Sequence, residues 1–284
     1  MGGGPKILSK RVPVISRWQI LDLLNKNPKV SFDLELTITP VTYEGGWAIF
    51  VFDGTQYRIR LEDLPEVGDD ACEVYAYDGG WVELSIAADR YYKLCLFRRR
   101  WAPTLMIDGI TMHSVLENPL DLVARKTTYV RGRVFECCTG LGYTSIAAVR
   151  RGARYVLTVE VDFNVLTLAS YNPYSSDLFR NPRIDVIVHD ATSVVKFLKD
   201  ASFDYIIHDP PRLSYATQAL YSEPLYAEYR RVLRRGGGLF HYTGATGSKY
   251  RGIDVGRGVA ERLRKAGFRI ERVDKGFGVF ATAR

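Results

Sequence analysis

From Val134 onward, short strand-like runs alternate with helix-like runs, and this alternation constrains the fold more than any other feature of the chain. The runs VFEC, YVLTVE, IDVIVH, DYIIHD and GLFHYT are each followed by a helical stretch, and RIERVD and FGVFAT close the sequence. Strands that alternate with helices build a parallel sheet covered on both faces. The class expected is therefore α/β, with a doubly wound sheet. Only Lys275 and Gly276 separate the last two runs. A parallel crossover needs a dozen or more residues, so these two runs must form an antiparallel hairpin.

The chain before this region reads differently. Ser16–Asn25 carries Trp18, Leu21 and Leu24 on one helical stripe, with Ser16 placed as N-cap. One helix ahead of the strands suits a packing role better than a winged helix. Strand-like runs then cover Ser31–Thr39, Trp47–Phe52, Gln56–Leu61, Cys72–Tyr77, Trp81–Ile86 and Tyr92–Phe97. Turn signals part them at Glu44-Gly45-Gly46, Asp53-Gly54 and Asp78-Gly79-Gly80. The organisation expected is a small, mostly-β domain over residues 1–100, a bridging hairpin and linker over 101–130, and a catalytic domain over 131–284. Asp108-Gly109 supplies the turn of the bridging hairpin.

Charge is unevenly spread. Residues 1–125 hold 14 basic and 17 acidic side chains, whereas residues 126–284 hold 25 and 15. A basic C-terminal half suits an anionic partner, and RNA is a candidate; a solvated basic surface explains the same counts. No apolar run approaches the roughly 18 residues of a membrane span, and no cleavable leader is visible after the glycine-rich, basic Met1–Lys10. A cytoplasmic protein with no membrane partner is expected. The four cysteines (Cys72, Cys95, Cys137, Cys138) form no C-x-x-C pair, and free, reduced thiols are expected.

The chemistry gathers at the strand ends. In an open α/β sheet the ligand sits beyond the carboxyl ends of the strands. The first strand leads into Glu136-Cys137-Cys138-Thr139-Gly140-Leu141-Gly142-Tyr143. Glycines there let a ligand approach the backbone, with a tight turn without ligand as the alternative. Glu136 would repel a pyrophosphate and would suit a ligand with an amino group. Ser145 stands where a dinucleotide fingerprint wants its third glycine, so a nicotinamide dehydrogenase is disfavoured. Glu160 ends the second strand and can accept both hydroxyls of a ribose, while Asp162 after it suits a helix cap. Asp190 ends the third, either accepting from an adenine amino group or capping the next helix. Asp209 ends the fourth, and Pro210-Pro211 after it holds Asp209 extended. His189, His208 and His241 stand at strand tips, but no spacing makes a metal motif and none is expected.

These residues, in this order, resemble the motifs of class I S-adenosylmethionine-dependent methyltransferases, as does the terminal hairpin. The resemblance covers about Asp121–Arg284 and implies a Rossmann-like fold. GLGYTSIAA, HDPPRLSYATQALYS and LFHYTG are more closely similar to an archaeal group of predicted methyltransferases. LMIDGITMH more loosely resembles the hairpin of spermidine synthase-like aminopropyltransferases. Two positions depart from the methyltransferase pattern. Cys138 replaces the first glycine, and Arg212 replaces the aromatic that follows Asp-Pro-Pro in amino-methylating enzymes.

The resemblance implies transfer of a methyl group to an amine nitrogen, with S-adenosyl-L-methionine as cofactor. Glu136, Thr139, Gly140, Gly142, Tyr143, Glu160, Asp190 and Asp209 would contact the cofactor. Asp209, Pro210 and His241 would serve catalysis, and His113, Arg212, Tyr215 and Tyr221 would line the acceptor. Two alternatives stay open: aminopropyl transfer to a polyamine, and a non-catalytic RNA-binding module on the same fold.

Overall fold

The computed structural model describes residues 7–69, 71–244 and 254–284; the first six residues of the expected basic tail lie outside them. The chain divides into two compact units, Met1–Leu122 with Asn164–Arg180, and Val123–Phe163 with Asn181–Arg284. Residues 164–180 thus cluster with the N-terminal unit, although they fall inside the span 131–284 read as one domain.

The N-terminal unit is mostly β. Its helix Arg17–Leu24 starts at Ser16, and the Ser16 N–H donates to Gln19 Oε1 at 3.0 Å, a capping box. Antiparallel strands follow, among them Thr42–Glu44, Trp47–Phe52 and Thr55–Arg60 in one sheet. Ile20, Leu23, Phe32, Phe50 and Ile59 form the core beneath them. In the hairpin Thr104–Ile107/Ile110–Thr111, Asp108 and Gly109 have φ of 49° and 77°. Positive φ at both positions is the type I′ turn, whose twist matches that of the flanking strands.

Two expectations for this unit are corrected. Ser31–Thr39 is not one strand: Lys29–Val30 and Thr39–Pro40 pair with each other, and the residues between them turn. Asp33 accepts from the Thr37 N–H at 2.8 Å and its hydroxyl at 2.6 Å, offering the backbone a local alternative to a ladder. The cysteines are not all free thiols. Pairing of Glu73 with Cys95 brings Cys72 and Cys95 together as a disulfide, Cα atoms 4.8 Å apart. Cys137 and Cys138 are free.

The second unit carries the α/β fold. Its elements are β1 (Gly132–Cys137), α1 (Tyr143–Arg150), β2 (Ala153–Glu160), β3 (Ile184–Val188), α2 (Ala191–Val194), β4 (Phe203–His208), α3 (Glu223–Val232), β5 (Leu233–Tyr242), α4 (Val255–Lys265), β6 (Phe268–Asp274) and β7 (Gly278–Ala283). The sheet order is β3-β2-β1-β4-β5-β7-β6. β3 to β5 run parallel, and β7 lies antiparallel between β5 and β6, so the closing hairpin has the geometry expected from its two-residue link. The order reverses between β1 and β4, the switch point at which such sheets hold ligands.

One face of this sheet packs Phe135, Ile206, Leu239 and Val279 against Tyr226, Tyr229, Val259 and Leu263. The hydroxyls of Tyr226 and Tyr229 are inside this core, where an unpaired hydroxyl costs on the order of 1–3 kcal/mol. Histidines supply the partners. The Tyr229 hydroxyl meets His208 Nδ1 at 2.8 Å, and Tyr226 meets His241 Nε2 at 2.8 Å. The other ring nitrogens, His208 Nε2 and His241 Nδ1, donate to the Leu220 and Tyr242 carbonyls, which can only accept.

Gly132 opens β1 at φ 63°, and a Cβ there would lie 2.1 Å from Asp204 Oδ2. Asp204 cannot yield, because it accepts from the Arg133 N–H at 2.7 Å and from Arg234 at 2.7 Å. Gly132→Ala is expected to cost about 2–4 kcal/mol, left-handed strain plus overpacking, read as a lower urea midpoint at unchanged slope. An unchanged midpoint would show that the Asp204 network is loose.

Candidate active site

The carboxyl ends of β1, β2 and β4 form the site. Leaving β1, the chain folds back on β2: the N–H groups of Cys138 and Thr139 both donate to the Val159 carbonyl, at 3.0 and 3.2 Å. Cys138, Gly140 and Gly142 have φ of 69°, 55° and 75°. The left-handed conformation explains the glycines, and Cys138 adopts it without being one. A Cβ at Gly140 would meet nothing within 4 Å, so the space over this turn is open. The Cys138 conformation also brings its Sγ to 3.3 Å from that of Cys137.

Glu160 fastens the turn to β2. Its Oε2 accepts from the Gly140 N–H at 2.9 Å, and Oε1 accepts from Val161 and Asp162 at 3.1 and 3.2 Å. Burial raises its pKa, and the amides of Gly140 and Asp162 oppose that rise. A carboxylate offers about four acceptor sites, so Glu160 keeps capacity for a ligand hydroxyl.

Glu136 is fully buried. Its Oε2 accepts from the Ser145 hydroxyl, while Oε1 is buried without a partner among the described residues. Burial pushes its carboxyl up to about 8. Ser145, at the third-glycine position, is thus the partner of this acid. Thr139 bonds the Thr158 hydroxyl at 2.7 Å and is buried, so its side chain is committed to β2. Tyr143 is buried as the first residue of α1. Asp190 caps α2, accepting from the Thr192 N–H at 2.7 Å and hydroxyl at 2.9 Å. The capping alternative for Asp190 is the one this geometry realises.

At the tip of β4, Asp209 reaches back to β1 through its N–H, 3.4 Å from the Cys137 carbonyl. Its Oδ2 accepts from Lys126 Nζ at 2.6 Å. Lys126 ends the helix Pro119–Lys126, has a side chain 3% exposed, and lies 3.8 Å from the centroid of the Tyr242 ring. Pro210 is buried, and the Tyr221 hydroxyl donates to the Pro211 carbonyl at 2.8 Å, so the turn after Asp209 is held from below. Burial raises the Tyr221 pKa further above its ordinary value and keeps it a donor. Arg212 and Tyr215 stand on the exposed loop beyond, where the Thr217 hydroxyl donates to the Arg212 carbonyl at 2.7 Å.

Two expected site residues are already engaged by side chains of their own units. His241 is fully buried, both ring nitrogens are engaged, and burial holds its pKa well below the usual histidine range. It is a partner of Tyr226 rather than a group open to substrate. His113 belongs to the N-terminal unit, its Nδ1 2.8 Å from the Thr104 hydroxyl.

Sequence reasoning missed Lys126. It also missed Val161, Phe163 and Val188, which stay 70%, 58% and 43% exposed just past β2 and at the end of β3. Apolar residues at or just past strand ends were the signal available for these three.

This sheet order and switch point define the Rossmann-like fold of methyltransferases and spermidine synthases. Spermidine synthase from Thermotoga maritima aligns with a TM-score of 0.56 at 19% identity, over 70% of this chain and 71% of that one. Spermidine synthase in complex with the transition-state analogue AdoDATO aligns at 0.57 and 18% identity, over 70% and 72%. The family model described as "Conserved hypothetical protein 95" matches residues 111–236. The chain belongs to the family of the uncharacterized protein MJ1233 of Methanocaldococcus jannaschii, with 45% identity over 230 residues and 78% of each chain covered. Among the described residues, no helix is long and apolar enough to cross a membrane.

Proposed function

We propose that the protein is an S-adenosylmethionine-dependent methyltransferase acting on an amine nitrogen. The observation that carries this reading is the turn at Cys138–Gly142, open above Gly140 and clamped by Glu160 to the end of β2. The residues fit the cofactor at three points. The orphaned Glu136 Oε1 suits a cationic amino group, the spare acceptor sites of Glu160 suit ribose hydroxyls, and exposed Val161, Phe163 and Val188 suit an apolar ring. Bound there, the cofactor supplies a methyl group already made electrophilic by its sulfonium.

The protein's task is then alignment of a nucleophile. Asp209 Oδ2 is held by Lys126, which leaves Oδ1 to accept from the acceptor's N–H. The rigid Pro210-Pro211 turn fixes where that oxygen stands. Arg212 and Tyr215 on the exposed loop meet the acceptor, for which RNA is one candidate.

Calorimetry with S-adenosylmethionine and S-adenosylhomocysteine tests the reading. Wild type is expected to bind both. Glu160→Ala is expected to bind roughly tenfold or more weakly, the loss of a charge-assisted hydrogen bond of about 1.5–3 kcal/mol. Absence of binding by wild type, or equal binding by the variant, overturns the assignment.

A further inference from the structure

The charge of an acceptor can be read from what the site's carboxylates already hold. Four acids stand at the ends of β1 to β4, and each is engaged inside the protein. Glu160 accepts three backbone N–H groups, and Asp190 accepts both donors of Thr192. Glu136 is fully buried and holds the Ser145 hydroxyl on one oxygen, and its other oxygen is assigned above to the cofactor's amino group. Asp209, the acid placed to face an acceptor, is bound by Lys126 at 2.6 Å.

Lys126 is not a casual surface partner. Its side chain is 3% exposed against 19% for Asp209, and the Tyr242 ring closes over its ammonium at 3.8 Å. A protonated amine entering beside Asp209 would meet a carboxylate whose charge is already matched, with a buried cation behind it. A low-dielectric setting strengthens that repulsion. An uncharged amine meets no such penalty and can donate an N–H to the remaining oxygen.

We propose that Lys126 is the specificity-determining residue of this site, pairing with Asp209 so that uncharged amine acceptors, such as the exocyclic amine of a nucleobase, are admitted and polycations are excluded. The proposal rests on the methyl-transfer reading above. Lys126 acts through Asp209 and is a positioning residue.

The test uses the full chain and putrescine and spermidine as cationic probes, titrated by calorimetry with S-adenosylhomocysteine present. Wild type and Lys126→Arg, which keeps the cation, are expected to bind neither probe measurably. Lys126→Met leaves the Asp209 carboxylate unmatched and is expected to bind both probes roughly tenfold or more tightly than wild type. The gain should vanish in Lys126→Met/Asp209→Asn. A merely structural lysine would give loss of stability without gain of a ligand. Lys126→Gln, which can still donate to Asp209, replaces Lys126→Met if the latter does not fold. Should neither neutral variant fold, wild type decides: putrescine binding that Asp209→Asn removes overturns the proposal, and its absence supports it. Equal probe affinity in wild type and Lys126→Met overturns it as well. The methyltransferase reading fails separately, through absent binding of S-adenosylhomocysteine by wild type.

Discussion

Asp209→Ala is expected to lower methyl transfer by roughly 10²–10⁴-fold while leaving cofactor affinity within a few fold. The argument is positional. Glu136 and Glu160 adjoin the open glycine turn, whereas Asp209 stands one strand away at the tip of β4, its backbone fixed by buried Pro210 and by Tyr221 beneath Pro211. The variant also leaves the Lys126 ammonium buried without its counterion, which costs about 3 kcal/mol. Stability, cofactor affinity and single-turnover rate must therefore be measured on the same preparation. The rate is read as radiolabelled methyl incorporated into RNA or small-molecule fractions. Asp209→Asn keeps an acceptor oxygen. It should retain more activity than alanine if Asp209 chiefly orients the nucleophile, and no more if it removes the proton. Normal turnover per folded molecule of Asp209→Ala would remove Asp209 from the mechanism.

How this site emerged shows what a sequence can carry. The seven strands and the closing hairpin were legible because hydrophobic periodicity and link length are local properties. The glycine turn was legible for the same reason, and the backbone at 138–142 does take left-handed values there. The Lys126–Asp209 pair was not legible. It joins residues 83 apart, and Lys126 sits in a stretch read as linker, with nothing local to set it apart. His241 illustrates a second limit. Its place at a strand tip was visible, but which face of the sheet it takes depends on register, and opposite His208 it turns into the tyrosine core. Side chains alternate faces with a period of two, so a one-residue difference separates a site residue from a core residue. Cys72 and Cys95, 23 residues apart, show the same dependence on strand pairing.

Glu136→Gln is expected to change how stability depends on pH. In the folded protein burial raises the Glu136 carboxyl from 4.5 to about 8, above its value in the unfolded chain. Below pH 4.5 both states hold the proton and the folded state keeps its full contribution from the neutral acid. Between 4.5 and 8 the unfolded chain ionises while the folded protein stays protonated, so stability falls with every step in pH. Above 8 both are ionised and the loss levels off, at a total on the order of 5 kcal/mol. Glutamine is uncharged throughout and can still accept from Ser145. Urea unfolding at pH 5, 6.5 and 8 should show the variant gaining on wild type as pH rises; parallel curves would mean that Glu136 does not titrate across this window. The same group links stability to the proposed ligand. A cationic amino group beside the unpartnered Oε1 would favour the ionised carboxylate, so cofactor binding near pH 7 should release a proton from wild type and none from Glu136→Gln. Calorimetry in two buffers of different ionisation enthalpy reads that proton directly, and equal release by both proteins would place the cofactor's charge away from Glu136.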